Sequence, residues 1–369
     1  MPVILKVSET ATIWQMMQID KLLATVVKQG AEDLILTVGR PPMIRLDDSL
    51  EPLPTEVLTP ADTTSLMKSF TPERYQQELQ EEGSADFGFN FRDQASFRVG
   101  VYRQQGNIAV VLRQIPSKIR SFDELGLGAI IQELLFRPRG LVLVTGPTGS
   151  GKTTTLATMV DYINNTRKVH ILTIEDPIEY RHHHSKAVIS QREVGVDVPA
   201  FSEALRRALR ESPDVILVGE MRDLDSTRLA ITAAETGHLV LSTVHTQSAQ
   251  STVERIIDEF PPNQQAQIRI QLASSLIAVL AQTLVPRIGG GLVAAFEILL
   301  VTPAVRHLIR DNKTFRIDSA IQTGRDRGMQ LLDDHLLQLH KQGIIERTDV
   351  LTRCRYPEEV AKVLQGTEG

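Results

Sequence analysis

The run Gly146-Pro147-Thr148-Gly149-Ser150-Gly151-Lys152-Thr153 constrains this chain more than any other stretch. It is entered from the apolar segment Leu141-Val142-Leu143-Val144 and continues into Thr154-Thr155-Leu156-Ala157, so the order is strand, glycine-rich loop, helix start. Glycines at these intervals let successive backbone N–H groups converge on phosphate oxygens. Lys152 supplies a point charge for the β- and γ-phosphates, and the Thr153 hydroxyl is a ligand for Mg²⁺. The helix that begins here adds its dipole to the anion site, with Thr154 in its first turn. The expected ligands are therefore ATP and Mg²⁺.

The chain has 369 residues, longer than one average domain, and two domains are the default expectation. Its formal charge of −5 gives no general basic field for a polyanion, which argues against a nucleic-acid motor. Cys354 is the only cysteine, which excludes an internal disulfide or a four-cysteine zinc site and fits a reducing compartment. Neither a leader peptide nor a run of about 18 apolar residues is expected, so the protein is read as cytoplasmic, reaching a membrane only through a partner.

Residues 1–113 read as an α+β domain. Helical spacing from Ile19 to Val27 ends at Gly30, and strands are expected at Leu34–Val38 and Met43–Leu46. Helices are expected near Pro60 and Pro72, each with the preceding threonine as cap. Three alternating segments near 85–91, 97–103 and 108–112 read as antiparallel strands with one wet face. Residues 114–121, around Pro116, read as a linker. From 122 to 369 helices alternate with apolar strands at 141–145, 169–174, 215–218 and 239–244, the pattern of a parallel sheet covered by helices. A further strand at 292–300 precedes short helices.

Parallel α/β sheets place ligands at the carboxyl ends of their strands. There the sequence puts Glu175-Asp176-Pro177-Ile178-Glu179, Gly219-Glu220-Met221-Arg222-Asp223, and His245. Phosphoryl transfer to water needs a metal, a group that orients the water, and often a cation from a neighbouring subunit. Glu220 is the candidate metal carboxylate and Glu175 the candidate for the water, with the two roles exchangeable. His245 is the candidate γ-phosphate sensor; His238, seven positions away, cannot reach the same phosphate and reads as a subunit contact or a cap. Arg98 and Arg113 are the leading candidates for a cation supplied in trans, with Arg103 third. Arg206, Arg207 and Arg210 read as a surface stripe. His182-His183-His184 look like a metal tract, but three consecutive side chains cannot converge on one ion, and residues 180–186 read as an exposed loop.

Together the motifs at 146–153, 173–179, 216–223 and 233–245 resemble the secretion and type IV pilus ATPases, and within them the PilT-type retraction motors. The resemblance runs from about Gln18 to Gly343. It implies a PAS-like N-terminal domain, a RecA-like P-loop NTPase core, and a homo-hexamer with nucleotide between protomers. It also implies coupling to an inner-membrane pilus platform protein, with a related retraction or assembly ATPase as a further partner. Pro303-Ala304-Val305-Arg306-His307-Leu308-Ile309-Arg310 is similar to the retraction-linked helix, with His307 where that pattern has asparagine. The residues before Met17 and after Tyr356 lie outside the pattern. The chain lacks the extra N-terminal domain and four-cysteine zinc module of assembly ATPases, which favours the retraction side, including PilU-like accessory motors. The alternatives are a RecA-like nucleic-acid translocase and a nucleotide-regulated module without turnover.

Overall fold

In the computed structural model, residues 19–46, 49–92, 94–115 and 118–366 are described. The described chain divides into two compact units, one up to Lys118 together with Pro177–Arg181, the other taking the rest.

The first unit begins with helix α1 (19–29), stopped by Gly30 at φ 67°. Strands β1 (Asp33–Leu36), β2 (Met43–Leu46) and β3 (Ser49–Pro52) follow, then helices α2 (Pro60–Phe70) and α3 (Glu73–Glu82). Strands β4 (Ser84–Phe91), β5 (Ala95–Gln104) and β6 (Asn107–Ile115) complete a sheet of order β3-β2-β1-β6-β5-β4. Every pairing in it is antiparallel. Thr59 caps α2 in a reciprocal capping box with Asp62, as its sequence suggests. Thr71 does not cap α3: Pro72 stands at that position, without a side-chain cap bond. The inward faces bury Leu23, Leu34, Phe97 and Leu112 in one core. Gln114 and Ile115, expected in the linker, complete β6 instead.

The second unit opens with α4 (Phe122–Leu125), capped by Ser121 and Glu124, and α5 (Ala129–Leu134). Then come β7 (Gly140–Thr145), α6 (Lys152–Thr166), β8 (His170–Glu175), β9 (Val188–Glu193), α7 (Phe201–Ala208), β10 (Val215–Val218), α8 (Leu224–Thr236) and β11 (Leu239–Val244). Helices α9 (Ala249–Asp258) and α10 (Pro262–Ser275) lead to β12 (Leu276–Pro286) and β13 (Leu292–Leu300). Helices α11 (Pro303–Arg310), α12 (Ile317–Thr323), α13 (Leu332–Lys341), α14 (Arg347–Arg353) and α15 (Pro357–Gly366) finish it.

The sheet order is β13-β12-β7-β11-β10-β8-β9. All neighbours are parallel except the β12–β13 hairpin. Strands β7, β10 and β11 are buried at every position, which explains why they read as unbroken apolar runs rather than alternating ones. Strands β9 and β12 are additional to those expected from the sequence. In β12 the run Leu276–Ala281 follows α10 without a break, and periodicity does not separate a buried strand from a buried helix.

Candidate active site

Because β7, β8, β10 and β11 run the same way, the segments leaving them emerge along one edge of the sheet. The phosphate loop leaves β7 beside β12. Gly146 has φ 146°, and a Cβ there would lie 2.2 Å from the Gln282 carbonyl oxygen, so only glycine fits. The Lys152 ammonium donates to the carbonyls of Gly146 at 2.9 Å and Pro147 at 3.0 Å, which holds it over its own loop. The buried Ser150 hydroxyl oxygen has no hydrogen-bond partner. Gln282, on β12, donates to the Ser150 carbonyl and accepts from the Thr155 hydroxyl, tying both ends of the loop–helix junction to the sheet.

At the neighbouring strand end, Thr145 donates to the Thr246 carbonyl at 2.5 Å, and Thr246 N–H returns a bond at 3.0 Å. That exchange fixes the loop after β11 against the start of the phosphate loop. His245 Nε2 lies 3.3 Å from Glu220 Oε2, and the Arg222 guanidinium pairs with Glu220 Oε1 at 2.5 Å. Glu220 itself is buried. Met221 N–H donates to the Thr243 carbonyl and the Thr243 hydroxyl to the Gly219 carbonyl, tying the turn after β10 to the end of β11. His245 and Glu220 are thus brought together.

Glu175, at the end of β8, is also buried, and its Oε1 accepts from the Thr173 hydroxyl at 2.6 Å and from Gln191 on β9 at 3.2 Å. Two donors on one oxygen fix its orientation. Gly219 N–H donates to the Ile174 carbonyl, so the backbone leading to Glu220 runs beside Glu175.

The remaining expected residues have other surroundings. Arg113 forks onto the buried carboxylate of Asp33 (2.8 and 3.2 Å), which Arg45 contacts from the other side. Within the first unit Arg98 lies 4.0 Å from Glu179, and its side chain is half-exposed. His238 donates from Nδ1–H to the Ala233 carbonyl, capping the end of α8. Arg206 and Arg207 both pair with Glu203 on their own helix. The stretch 180–186 is not uniformly exposed: Tyr180 is buried, and burial and the nearby His183 push His182 down to about 4. His184 accepts from Ile189 N–H, and no group of metal-ligating side chains forms among the described residues. Burial and the neighbouring Asp333 push the Cys354 thiol up, away from the reactive thiolate.

The sequence reading missed Gln282, Gln191, Arg222 and the Thr145–Thr246 pair. Arg222 carried a signal, standing two residues after Glu220. Gln282 carried none, because its place beside the loop depends on β12.

A glycine loop closed over an ammonium at the end of a buried parallel strand, with two buried carboxylates at the ends of parallel strands of the same sheet, defines a P-loop ATPase with a RecA-like α/β core. Residues 15–291 match the model of the family described as "Type II/IV secretion system protein", and the chain belongs to that family. It is 49% identical over 342 residues to the "Type IV pilus retractation ATPase PilT" of Pseudomonas aeruginosa, covering 93% of this chain and 99% of that one. It is 48% identical over 299 residues to a "Twitching motility protein" of Neisseria gonorrhoeae (81% and 79% covered). A crystal structure of the pilus retraction motor PilT with bound ADP superposes with a TM-score of 0.87 at 46% identity, covering 93% and 99%. No helix among the described residues is long and apolar enough to cross a membrane.

Proposed function

We propose that this ATPase powers type IV pilus retraction, working in the cytoplasm as a homo-hexamer on an inner-membrane platform protein. The observation that carries the catalytic part is the pairing of Glu220 with His245 beside a loop whose lysine and glycines are held for phosphate. Similarity to retraction and twitching proteins over nearly the whole chain supports the assignment of the work done.

ATP would seat its phosphates on the backbone N–H groups of 146–154, with Lys152 turning from its own carbonyls to the β- and γ-oxygens. The partnerless Ser150 hydroxyl fits such an anion, and the oxygen donors Thr153 and Glu220 fit Mg²⁺. When bound, that ion neutralises phosphate charge. Glu175, oriented by Thr173 and Gln191, would align the attacking water. His245 reads the γ-phosphate through Glu220. Arg98 is the better candidate for the cation from the next protomer, because Arg113 is already committed to Asp33.

Purified Lys152→Ala protein should show no turnover, and Glu220→Ala should bind nucleotide without hydrolysing it. Full hydrolysis by the second variant would overturn the catalytic reading. Deleting the gene should leave surplus, immobile surface pili, whereas bald cells would indicate assembly. A second reading, an accessory motor, is favoured by His307, which contacts Arg310 on α11 and stands where the resembling retraction-linked pattern has asparagine. It predicts that the chain fails to restore movement alone in a strain lacking its main retraction motor.

A further inference from the structure

Glu297 is a completely buried carboxylate in the middle of β13 and is not among the residues assigned to catalysis above. Its Oε1 accepts from Ala249 N–H, the first amide of α9, at 2.7 Å. Its Oε2 accepts from the Arg355 guanidinium at 3.0 Å, and Arg355 is the single cation in ion-pair range of it among the described residues. Arg355 reaches on to Asp318 on α12 at 3.2 Å. Its backbone N–H and that of Tyr356 both end on the Asp333 carboxylate of α13.

Helix α9 begins three residues after Thr246, the residue locked to Thr145 at the entrance of the phosphate loop. Ser248 supplies the side-chain cap, while Glu297 takes the next amide with a full negative charge, where the helix dipole rewards one. Ionising a buried carboxylate carries a desolvation cost that a facing cation offsets. Burial and the Asp318 carboxylate push Glu297 up, while Ala249 N–H and Arg355 oppose that shift.

We propose that Arg355 is a positioning residue for ATP hydrolysis: it keeps Glu297 charged, Glu297 holds the start of α9, and that hold fixes the His245–Thr246 loop at the phosphates. The switch loop is thereby tied to α12 and α13. ATP binding, which rests on the 146–154 loop, does not need the tie, whereas turnover does. The inference relies on the reading of His245 as a phosphate sensor.

The test uses the full-length protein. Arg355→Met should lower kcat about ten- to a hundredfold, the size of effect a slight displacement of catalytic groups produces, and leave the KM for ATP near its original value. With its cation gone, the Glu297 carboxyl is pushed further above its ordinary range, so residual turnover should climb as pH rises and the carboxylate ionises. Adding Glu297→Gln to Arg355→Met should abolish that climb. Arg355→Lys keeps the charge and should fall between wild type and Arg355→Met. If Arg355→Met does not fold, Arg355→Lys and Glu297→Gln carry the decision through the same split between kcat and KM. Unchanged kcat, or kcat and KM changing together with no pH limb that Glu297→Gln removes, overturns the proposal. A fully active His245→Ala protein would instead overturn the sensor reading, while an inactive one alongside wild-type behaviour of Arg355→Met sinks this inference alone.

Discussion

Gln282 Nε2 donates to the Ser150 carbonyl at 2.6 Å across 132 residues of sequence, and its Oε1 receives the Thr155 hydroxyl. One amide therefore braces the phosphate loop and the helix after it. Gln282→Leu leaves both partners buried and unsatisfied, a loss of about 1–3 kcal/mol in stability. Because the loop also loosens, ATP affinity should fall roughly tenfold, equivalent to about 1.4 kcal/mol. Chemical denaturation and nucleotide titration measure the two effects separately.

Gly146→Ala should be more damaging than its size suggests. The added methyl would sit 2.2 Å from the Gln282 carbonyl, a backbone atom that can yield only if β12 shifts, and the φ of 146° is itself unfavourable for alanine. The expected outcome is loss of measurable ATP binding, read by the same titration, with Gly149→Ala milder because nothing lies near its missing Cβ.

If Arg98 acts across a subunit seam, Arg98→Ala should cut kcat about 10³-fold or more, as removal of an arginine finger does. Co-expressing Arg98→Ala with Lys152→Ala subunits should restore partial turnover, since some seams then combine an intact loop with an intact arginine. ATPase assays on the mixed assembly decide it; no recovery would exclude a role in trans.

Asp33 is 2% exposed and lies between Arg45 and Arg113. Burial alone would raise its pKa, but the two guanidiniums outweigh it and hold the carboxyl below its ordinary value of 3.8. Its contribution to stability is therefore complete above that value and fades as pH falls through the lower, folded one. Asp33→Ala removes charge-assisted hydrogen bonds to two guanidiniums that stay in reach of water, and should destabilise the first unit by about 1–3 kcal/mol, measurable by urea unfolding.

His182 gives the opposite case for a base. Burial, helped by the charge of His183, moves it from 6.5 to about 4, so the folded protein keeps it neutral while the unfolded chain binds a proton. Stability should thus fall as pH drops from about 6.5 towards 4, by up to about 3 kcal/mol at 1.36 kcal/mol per unit. His182→Asn should flatten that part of the pH–stability curve, and an unchanged slope would assign it to another group.

Much of this molecule could be read from the chain. The phosphate loop, the carboxylates after β8 and β10 and the histidine after β11 were legible because a parallel sheet forces function to strand ends, and those ends are polar after buried runs. What escaped depends on neighbours brought in from afar. Strand β12 looks like more of α10 until its pairing with β7 is known. Arg98 and Arg113 are indistinguishable as letters on alternating strands, and only the buried Asp33 separates them. Similarly, nothing in Tyr180–Lys186 signals that His182 is largely covered.

The distance in sequence between Gln282 and the loop it braces has a bearing on how the motor comes to life. A nascent chain that has just emitted its glycines has no scaffold for them, since the strand that grips them is synthesised much later and contacts of such long range form slowly. The phosphate loop therefore gains its brace only after β12 has been made and has paired with β7.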